Sequence, residues 1–262
     1  MATISIGITI FADQLLGQRK NQEDALYISP ASLFHKKGLL AIVSDGMGGM
    51  ERGEVYSNSA VEAMRTAFEQ DENLSAPLNV RLHAIYQKAR EAALTLRKSP
   101  ADVDGGATVV ATLIKNRLCA ILSVGDSRIC LYRGGGLIQL NREQTLGILL
   151  DQRAAFGIIP QEVADNMPHR ESLTNHTNAE SPMECDLSTP FRLAPGDKLL
   201  LMSDGVFNTL SDDQLIHCLK RSGKQALNAV MDALRAANSP KQDNATAILI
   251  EVNQRNATRK GG

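Results

Sequence analysis

Residues 39–46 read Leu-Leu-Ala-Ile-Val-Ser-Asp-Gly, a short apolar run that ends in an aspartate followed by a glycine. The run over residues 38–44 has no polar alternation, which predicts a strand that is buried on both faces. The pattern returns at residues 199–205, Leu-Leu-Leu-Met-Ser-Asp-Gly, and in a variant at residues 121–127, Ile-Leu-Ser-Val-Gly-Asp-Ser. Buried strands that end in an acid therefore recur along this chain.

Outward from these runs, the periodicity predicts further strands and two main blocks of helix. The predicted strands are residues 3–11, 107–115, 118–124, 128–133, 197–203 and 245–252. The predicted helices are residues 54–70, 78–97 and 225–237, with another that begins at Ser211, where Gln214 completes a capping-box pattern. Tight turns join the three central strands, and this meander predicts antiparallel pairing.

Strands at both ends of the sequence flank the helices, and no linker divides them. We therefore predict a single domain over residues 1–252, of α+β class, with two mainly antiparallel sheets packed together and helices on the outer faces. Residues 141–187 are polar and weakly patterned, and residues 253–262 are expected to form a frayed tail.

The composition restricts the classes of function. The chain of 262 residues is 43% hydrophobic and has a formal net charge of −1, so a basic surface for nucleic acid is not expected. Its apolar runs are too short to cross a bilayer, and its N-terminus does not resemble a signal peptide. The four cysteines lack CxxC spacing. These features predict a cytoplasmic protein with reduced thiols and no membrane association.

The acids at the strand ends indicate a metal site when they are considered together. A single Asp-Gly is most simply a turn. Several partly desolvated carboxylates that converge repel one another unless a cation neutralises them. The candidate ligands are Glu23, Asp24, Asp45, Asp126, Asp204 and Asp243. Carboxylates suit Mg²⁺ or Mn²⁺, whereas the five histidines show no paired spacing that would indicate zinc.

Two further motifs lie close to these acids. Residues 46–49 read Gly-Met-Gly-Gly but lack the Gly-Lys-Ser/Thr of a nucleotide-binding loop. We interpret them as a turn that brings backbone close to a metal, with the carbonyl of Gly46 as a possible ligand. Arg19 precedes Asp24 by five positions, and a guanidinium beside an acidic metal cluster can bind two oxygens of a phosphate.

With these motifs in view, the sequence resembles the metal-dependent serine/threonine protein phosphatases of type 2C, in their bacterial form. The resemblance spans residues 7–252, with the family motifs in the expected order. Those motifs are residues 19–24 (RKNQED), 44–49 (SDGMGG), 106–108 (GAT), 125–128 (GDSR), 203–207 (SDGVF) and 243–246 (DNAT). The family fold is a four-layer αββα sandwich with the metals in a cleft at one edge.

The resemblance also implies roles for individual residues. Asp45 would bridge two Mn²⁺ or Mg²⁺ ions, Asp204 and Asp243 would complete the protein ligands of one ion, and the Gly46 carbonyl would serve the other. Glu23 and Asp24 would act through metal-bound waters. Arg19 would bind the substrate phosphate, Asn244 would support this shell, and Asp126 with Asp204 could reach a third, weaker ion. A metal-bridging hydroxide would attack the phosphomonoester directly, without a phosphoenzyme.

Two departures from the family pattern leave roles open. Asn208 stands where many members have an acid that serves the third metal, and Met47 stands where some carry a histidine that protonates the leaving group. Residues 143–178 correspond to the variable flap, where substrate preference would be set. The implied partners are phosphoserine and phosphothreonine proteins in the pathway of a cognate kinase. Two alternatives remain: a hydrolase of small phosphoesters on the same scaffold, and a non-catalytic module that binds phosphoproteins.

Overall fold

The computed structural model describes residues 2–4, 7–48, 52–96, 105–179 and 185–253. Its strands are β1 Ala2–Ile4, β2 Ile8–Leu15, β3 Asp24–Ile28, β4 Leu39–Gly48, β5 Gly105–Ala107, β6 Val109–Lys115, β7 Leu118–Val124, β8 Arg128–Arg133, β9 Gly136–Gln139, β10 Asp186–Leu187, β11 Phe191–Arg192, β12 Lys198–Met202 and β13 Ala245–Val252. Its helices are α1 Ala31–Lys37, α2 Gly53–Gln70, α3 Leu78–Thr95, α4 Leu146–Ala155, α5 Gln161–Asp165, α6 Asp204–Phe207, α7 Asp212–Leu219 and α8 Lys224–Ala237.

The strands form two sheets. One has the order β1-β2-β13-β12-β8-β9, and the other has the order β10-β7-β6-β4-β3, with β11 on β7 and β5 on β4. Within the described ranges, every pairing between these strands is antiparallel. We call them the β12–β13 sheet and the β4–β6 sheet.

Alternating side chains explain why the central strands read as continuous apolar runs. In β4, Leu39 and Val43 belong to the apolar layer between the two sheets, whereas Ile42 packs toward α2 and α3. In β12, Leu199 and Leu201 enter that same inner layer, and their neighbours pack toward α7 and α8. Both faces of each strand are buried, so neither face selects polar residues. The predicted four-layer α+β sandwich is confirmed.

The central meander was predicted wrongly at one point. β6 and β7 pair in one sheet, as expected, but β7 and β8 do not pair with each other. β8 pairs with β12 in the opposite sheet, so residues 125–127 cross from one sheet to the other. A short turn at Gly125 cannot distinguish a hairpin from such a crossing, because the turn residues are the same in both cases.

Other differences are smaller. The strand predicted over residues 3–11 is a hairpin of β1 and β2, with Gly7 at a φ of 75° in the connection. The capping box at Ser211 and Gln214 forms in full. The domain limit at residue 252 stays a prediction, and residues 254–262 of the predicted tail lie outside the described residues. In the part of the chain that the structure describes, no helix is both long and apolar enough to cross a bilayer.

Candidate active site

Strand register brings the predicted acids to one edge of the sandwich. Asp24, at the start of β3, lies directly opposite Asp45 near the end of β4. Asp204 follows the end of β12, and Asp243 precedes the start of β13, which pairs antiparallel with β12. Because antiparallel neighbours place the end of one strand beside the start of the next, these acids converge although they are up to about 220 residues apart.

A cavity of about 320 Å³ lies at this edge. It is lined by Arg19, Glu23, Asp45, Gly46, Met47, Thr108, Asp126, Leu173, Asp204 and Asp243. Grooves of about 490 Å³ between α7 and α8 and about 510 Å³ between α2 and α3 are larger, but neither is lined by more than two carboxylates. The acidic cavity is therefore where the candidate chemistry is concentrated.

Thr108 fixes the backbone around Asp45. The Asp45 N–H donates to Thr108 Oγ1 at 3.0 Å, and the Thr108 N–H donates to the Asp45 carbonyl at 2.8 Å. Ser44 Oγ donates to the Thr108 carbonyl at 2.7 Å, and Ser127 Oγ lies 2.8 Å from Thr108 Oγ1. This pairing uses the threonine of the motif over residues 106–108, so the main chain that presents the Asp45 carboxylate is held on both sides.

Glycines at two positions allow backbone to pass close to the site. A Cβ on Gly46 would lie 2.0 Å from the Gly53 carbonyl oxygen, and a Cβ on Gly53 would lie 2.5 Å from the Gly46 carbonyl oxygen. The Gly46 N–H donates to the Glu23 carbonyl at 3.1 Å, which also accepts from Ser57 Oγ at 2.5 Å. The first turn of α2 is thereby packed against the end of β4, and no larger residue fits either position.

Asp24 lies behind the cavity lining and is only 4% exposed. Its Oδ2 accepts from Ser203 Oγ at 2.7 Å and from Thr246 Oγ1 at 2.6 Å. Its Oδ1 is buried without a hydrogen-bond partner. A buried carboxylate oxygen without a partner is costly, so this atom is one that a bound water or cation would satisfy.

Arg19 and Asn244 connect the remaining acids. Arg19 Nη2 lies 2.5 Å from Asp243 Oδ2, and Arg19 Nη1 lies 3.7 Å from Glu23 Oε2. Asn244 Oδ1 accepts from the Glu23 N–H at 2.8 Å, and Asn244 Nδ2 donates to the Leu16 carbonyl at 2.8 Å. The guanidinium is half exposed at the cavity rim, where a phosphate can reach it.

Crowding of carboxylates opposes their ionisation. Burial, followed by the charge of Asp24, raises the pKa of Asp45 well above its usual range. Burial, followed by the charge of Asp204, raises the pKa of Asp126 to about 7. Burial raises the pKa of Asp24 to about 6, although its two hydroxyl donors act in the opposite direction. Burial and then Asp243 raise the pKa of Asp204. The cluster lacks enough positive charge of its own.

The donor set fits hard divalent cations. The polar groups that line the cavity offer carboxylate, carbonyl and hydroxyl oxygens, and Arg19 supplies the cationic side chain. Among the described residues, no three acidic, histidine or cysteine side chains already stand in a ligating arrangement. Asp243 already bonds to Arg19, and Asp24 already accepts from Ser203, so these two acids have other partners in this structure.

The two departures from the family motifs also have defined positions. Asn208 Nδ2 donates to Asp204 Oδ2 at 3.1 Å. The amide thus occupies the position next to Asp204 at which many family members have the acid that serves the third metal. Met47 lines the cavity. No role was predicted for Ser57, Ser203 or Thr246. The Ser57 hydroxyl donates to the main-chain carbonyl of Glu23, and the other two donate to the Asp24 carboxylate, and such contacts between distant positions leave no local signal in the sequence.

A family model described as Protein phosphatase 2C matches residues 17–246, and the chain belongs to this family. The resemblance inferred from the motifs is confirmed, and the chain is a serine/threonine phosphatase of the 2C type.

Individual relatives of the chain are serine/threonine phosphatases as well. The serine/threonine phosphatase stp of Listeria monocytogenes is 30% identical over 226 residues, which cover 85% of this chain and 86% of that protein. The serine/threonine protein phosphatase PstP of Mycobacterium tuberculosis is 30% identical over 243 residues, 89% of this chain and 43% of that longer protein.

Solved structures share the fold. The crystal structure of the Mycobacterium tuberculosis phosphatase PstP/Ppp has a TM-score of 0.75 and 26% identity, and the match covers 94% of this chain and 99% of that one. The catalytic domain of PstP solved with two manganese ions has a TM-score of 0.74 and 24% identity, over 94% and 99% of the two chains.

Proposed function

We propose that this phosphatase depends on Mn²⁺ or Mg²⁺ and removes phosphate from phosphoserine and phosphothreonine residues of proteins, without a phosphoenzyme intermediate. The observation that carries the proposal is the cavity that brings four aspartates, Glu23 and a half-exposed arginine together in a chain of the 2C family. The two manganese ions of the PstP catalytic domain support the choice of metal.

We carry the cation ligands over from the motifs of the 2C family, whose acids line the cavity of this chain. Asp45 is close enough to Asp24, Asp204, Asp126 and Asp243 for their charges to act on it, and it would be shared by two cations, with Asp204 and Asp243 on one and the Gly46 carbonyl on the other. Glu23 and the more deeply placed Asp24 would act through water molecules. Asp126 and Asp204 could hold a third cation only weakly, because Asn208 offers Asp204 an amide where a further carboxylate would strengthen the site.

Bound cations would supply an activated water for in-line attack on phosphorus and would neutralise charge on the phosphoryl oxygens. Arg19 would turn from Asp243 to bind two phosphate oxygens, which orients the phosphorus toward the acids. Thr108 and Ser44 keep the Asp45 backbone rigid while the charges change. Met47 lines the cavity, but a methionine side chain has no proton to donate, so it does not protonate the leaving oxygen.

Substrate choice is assigned to the flap over residues 143–178. α4 and α5 lie in this segment, and Phe156 and Ile158 on it are 82% and 68% exposed. Large apolar side chains this exposed are typical of protein–protein contact. Leu173 of the same segment lines the catalytic cavity. A phosphoprotein bound there would contact flap and cavity together. A cognate kinase pathway and a cytoplasmic location stay predictions.

The proposal is tested by metal-dependent hydrolysis. Wild-type protein with Mn²⁺ is expected to hydrolyse an aryl phosphate. In a second assay it is expected to prefer a phosphothreonine peptide to a phosphotyrosine peptide. EDTA is expected to abolish both activities. Asp45→Asn should remove activity, whereas Asp213→Asn, an exposed acid in the first turn of α7, should not.

Each alternative gives a different result. Binding of the phosphopeptide without turnover in any divalent cation would identify a non-catalytic module. Turnover of nucleotides or aryl phosphates with no activity on any phosphopeptide would identify a small-molecule hydrolase. Activity that survives Asp45→Asn would contradict the metal assignment itself.

A further inference from the structure

The turn that carries Asp126 has little support from the sheets. Residues 125–127 lie between β7 in one sheet and β8 in the other, and none of the strands in the described ranges pairs with them. Gly125 has a φ of 92°, and a Cβ there would lie 2.7 Å from Thr108 Cγ2. Ser127 Oγ, 2.8 Å from Thr108 Oγ1, holds one end of the turn, and the Gly125 backbone at the other end needs partners of its own.

Gln144 fixes this turn through Gly125. The Gln144 N–H donates to the Gly125 carbonyl at 2.9 Å, and Gln144 Oε1 accepts from the Gly125 N–H at 3.0 Å. Both polar groups of the Gly125 backbone are thus bonded to one residue. Asn141 secures the other side of the turn, with Nδ2 donating to the Ser127 carbonyl at 2.9 Å and Oδ1 accepting from the Ile129 N–H at 2.7 Å.

The same glutamine also contacts the far end of the flap. Asn175 Nδ2, on a fully buried side chain, donates to Gln144 Oε1 at 3.1 Å. The Thr174 N–H donates to the Gln144 carbonyl at 2.8 Å, and the preceding residue, Leu173, lines the catalytic cavity. One side-chain oxygen therefore joins the flap segment over residues 173–175 to the backbone next to Asp126.

We propose that Gln144 is a positioning residue, which holds the Asp126 turn in register with the flap segment that lines the catalytic cavity; this rests on the proposed function of that cavity. Loss of its acceptor oxygen frees the Gly125 amide and lets Asp126 move away from the neighbouring acids. A displacement of about 1 Å in a catalytic site is enough to reduce turnover by one to two orders of magnitude.

The test compares Gln144→Met with Gln225→Met. Methionine has nearly the same shape as glutamine but lacks the acceptor, and Gln225 is an exposed residue of α8, outside the flap and the cavity, that provides the matched control. Gln144→Met is expected to accelerate hydrogen exchange in peptides that contain Gly125 by about tenfold or more and to lower kcat on an aryl phosphate by at least about fivefold, with little change in Tm. Gln225→Met should leave all three unchanged.

A retained acceptor should rescue the backbone contact. Gln144→Glu keeps an oxygen at the position of Oε1, so the Gly125 peptides should regain slow exchange. Equal exchange rates in Gln144→Met and Gln144→Glu would overturn the proposal. So would a Gln144→Met protein whose kcat equals that of wild type, or whose only defect is a lower Tm.

The link to the flap is tested by a double-mutant cycle with Asn175→Ala. If the two side chains act through each other, the double variant loses no more kcat/KM than Gln144→Met alone, and fully additive losses would overturn the coupling. Failure of this inference is distinct from failure of the proposed function. An inactive wild-type protein contradicts the function, whereas hydrogen exchange at Gly125 reports on Gln144 without any turnover.

Discussion

Replacement of Asp126 by asparagine is expected to stabilise the metal-free protein at neutral and alkaline pH. Burial, and then the charge of Asp204, raises the pKa of this carboxyl from 3.8 to about 7 in the folded protein. Because the folded-state pKa lies above the unfolded one, ionised Asp126 disfavours folding. The cost is absent below pH 3.8, grows as the pH rises from there to about 7, and is complete above that pH.

The size of this effect follows from the shift. A difference of about three pKa units at about 1.4 kcal/mol each corresponds to about 4 kcal/mol at pH 8. Water in the open cavity and salt screen part of it, so we expect about 2 kcal/mol to remain. In a protein of this size that amount raises Tm by about 4–8 °C. At pH 4 the same calculation gives a cost of ionising Asp126 of less than about 1 kcal/mol.

Thermal unfolding in EDTA, measured from pH 4 to pH 8, provides the assay. The Tm of Asp126→Asn should exceed that of wild type at pH 8, and the two curves should converge at pH 4, while Asp213→Asn should show no such pH-dependent gain. Added Mn²⁺ should narrow the gap at pH 8, because bound cations offset the repulsion at Asp126 in the wild type, whereas the variant has less repulsion to offset. Equal Tm values at pH 8, or a gain that is the same at every pH, would refute the electrostatic reasoning.

Two further predictions concern substrate binding. Arg19→Ala should lower kcat/KM on an aryl phosphate by about 10- to 100-fold, mostly through KM, because a charge-assisted contact of about 1.5–3 kcal/mol is lost. Arg19→Lys should give an intermediate kcat/KM. Steady-state kinetics with unchanged KM and kcat in Arg19→Ala would contradict this role. Phe156→Ser should raise KM on phosphoproteins but leave aryl phosphate kinetics and Tm unchanged, because Phe156 is 82% exposed. Equal effects on both substrates would contradict a role of the flap in substrate recognition.

Continuous apolar runs made much of the fold predictable. The bounds predicted for β7, β8 and β13 are those of the structure, because each strand has a mainly apolar centre and lies next to turn or polar residues. Several short elements were not predicted, among them β3 and α1. β3 has five residues and begins with Asp24, and α1 has seven residues after Pro30. Elements this short contain too few residues for a periodic pattern to stand out.

The candidate site was predictable at the level of its acids but not of the groups that position them. Asp45, Asp126, Asp204 and Asp243 follow or precede buried strands, which marked them in the sequence, and the structure brings them to one cavity. Gln144 left no such mark, because its function depends on the crossing of β7 into β8 between the sheets, and that crossing was itself predicted wrongly. The sheet that a strand joins depends on the packing of the whole domain, whereas turn residues indicate only the local backbone geometry.

The same crossing explains why the acids can approach one another at all. Each sheet alone offers acids at its own strand ends, Asp24 and Asp45 in the β4–β6 sheet and Asp204 and Asp243 in the β12–β13 sheet. Packing of the two sheets through a common apolar layer brings these pairs together, and Asp126 lies in the turn that connects β7 of one sheet to β8 of the other. Burial of that layer is worth far more than the few kcal/mol that the crowded carboxylates cost. The sandwich can therefore hold the acids together before any cation arrives.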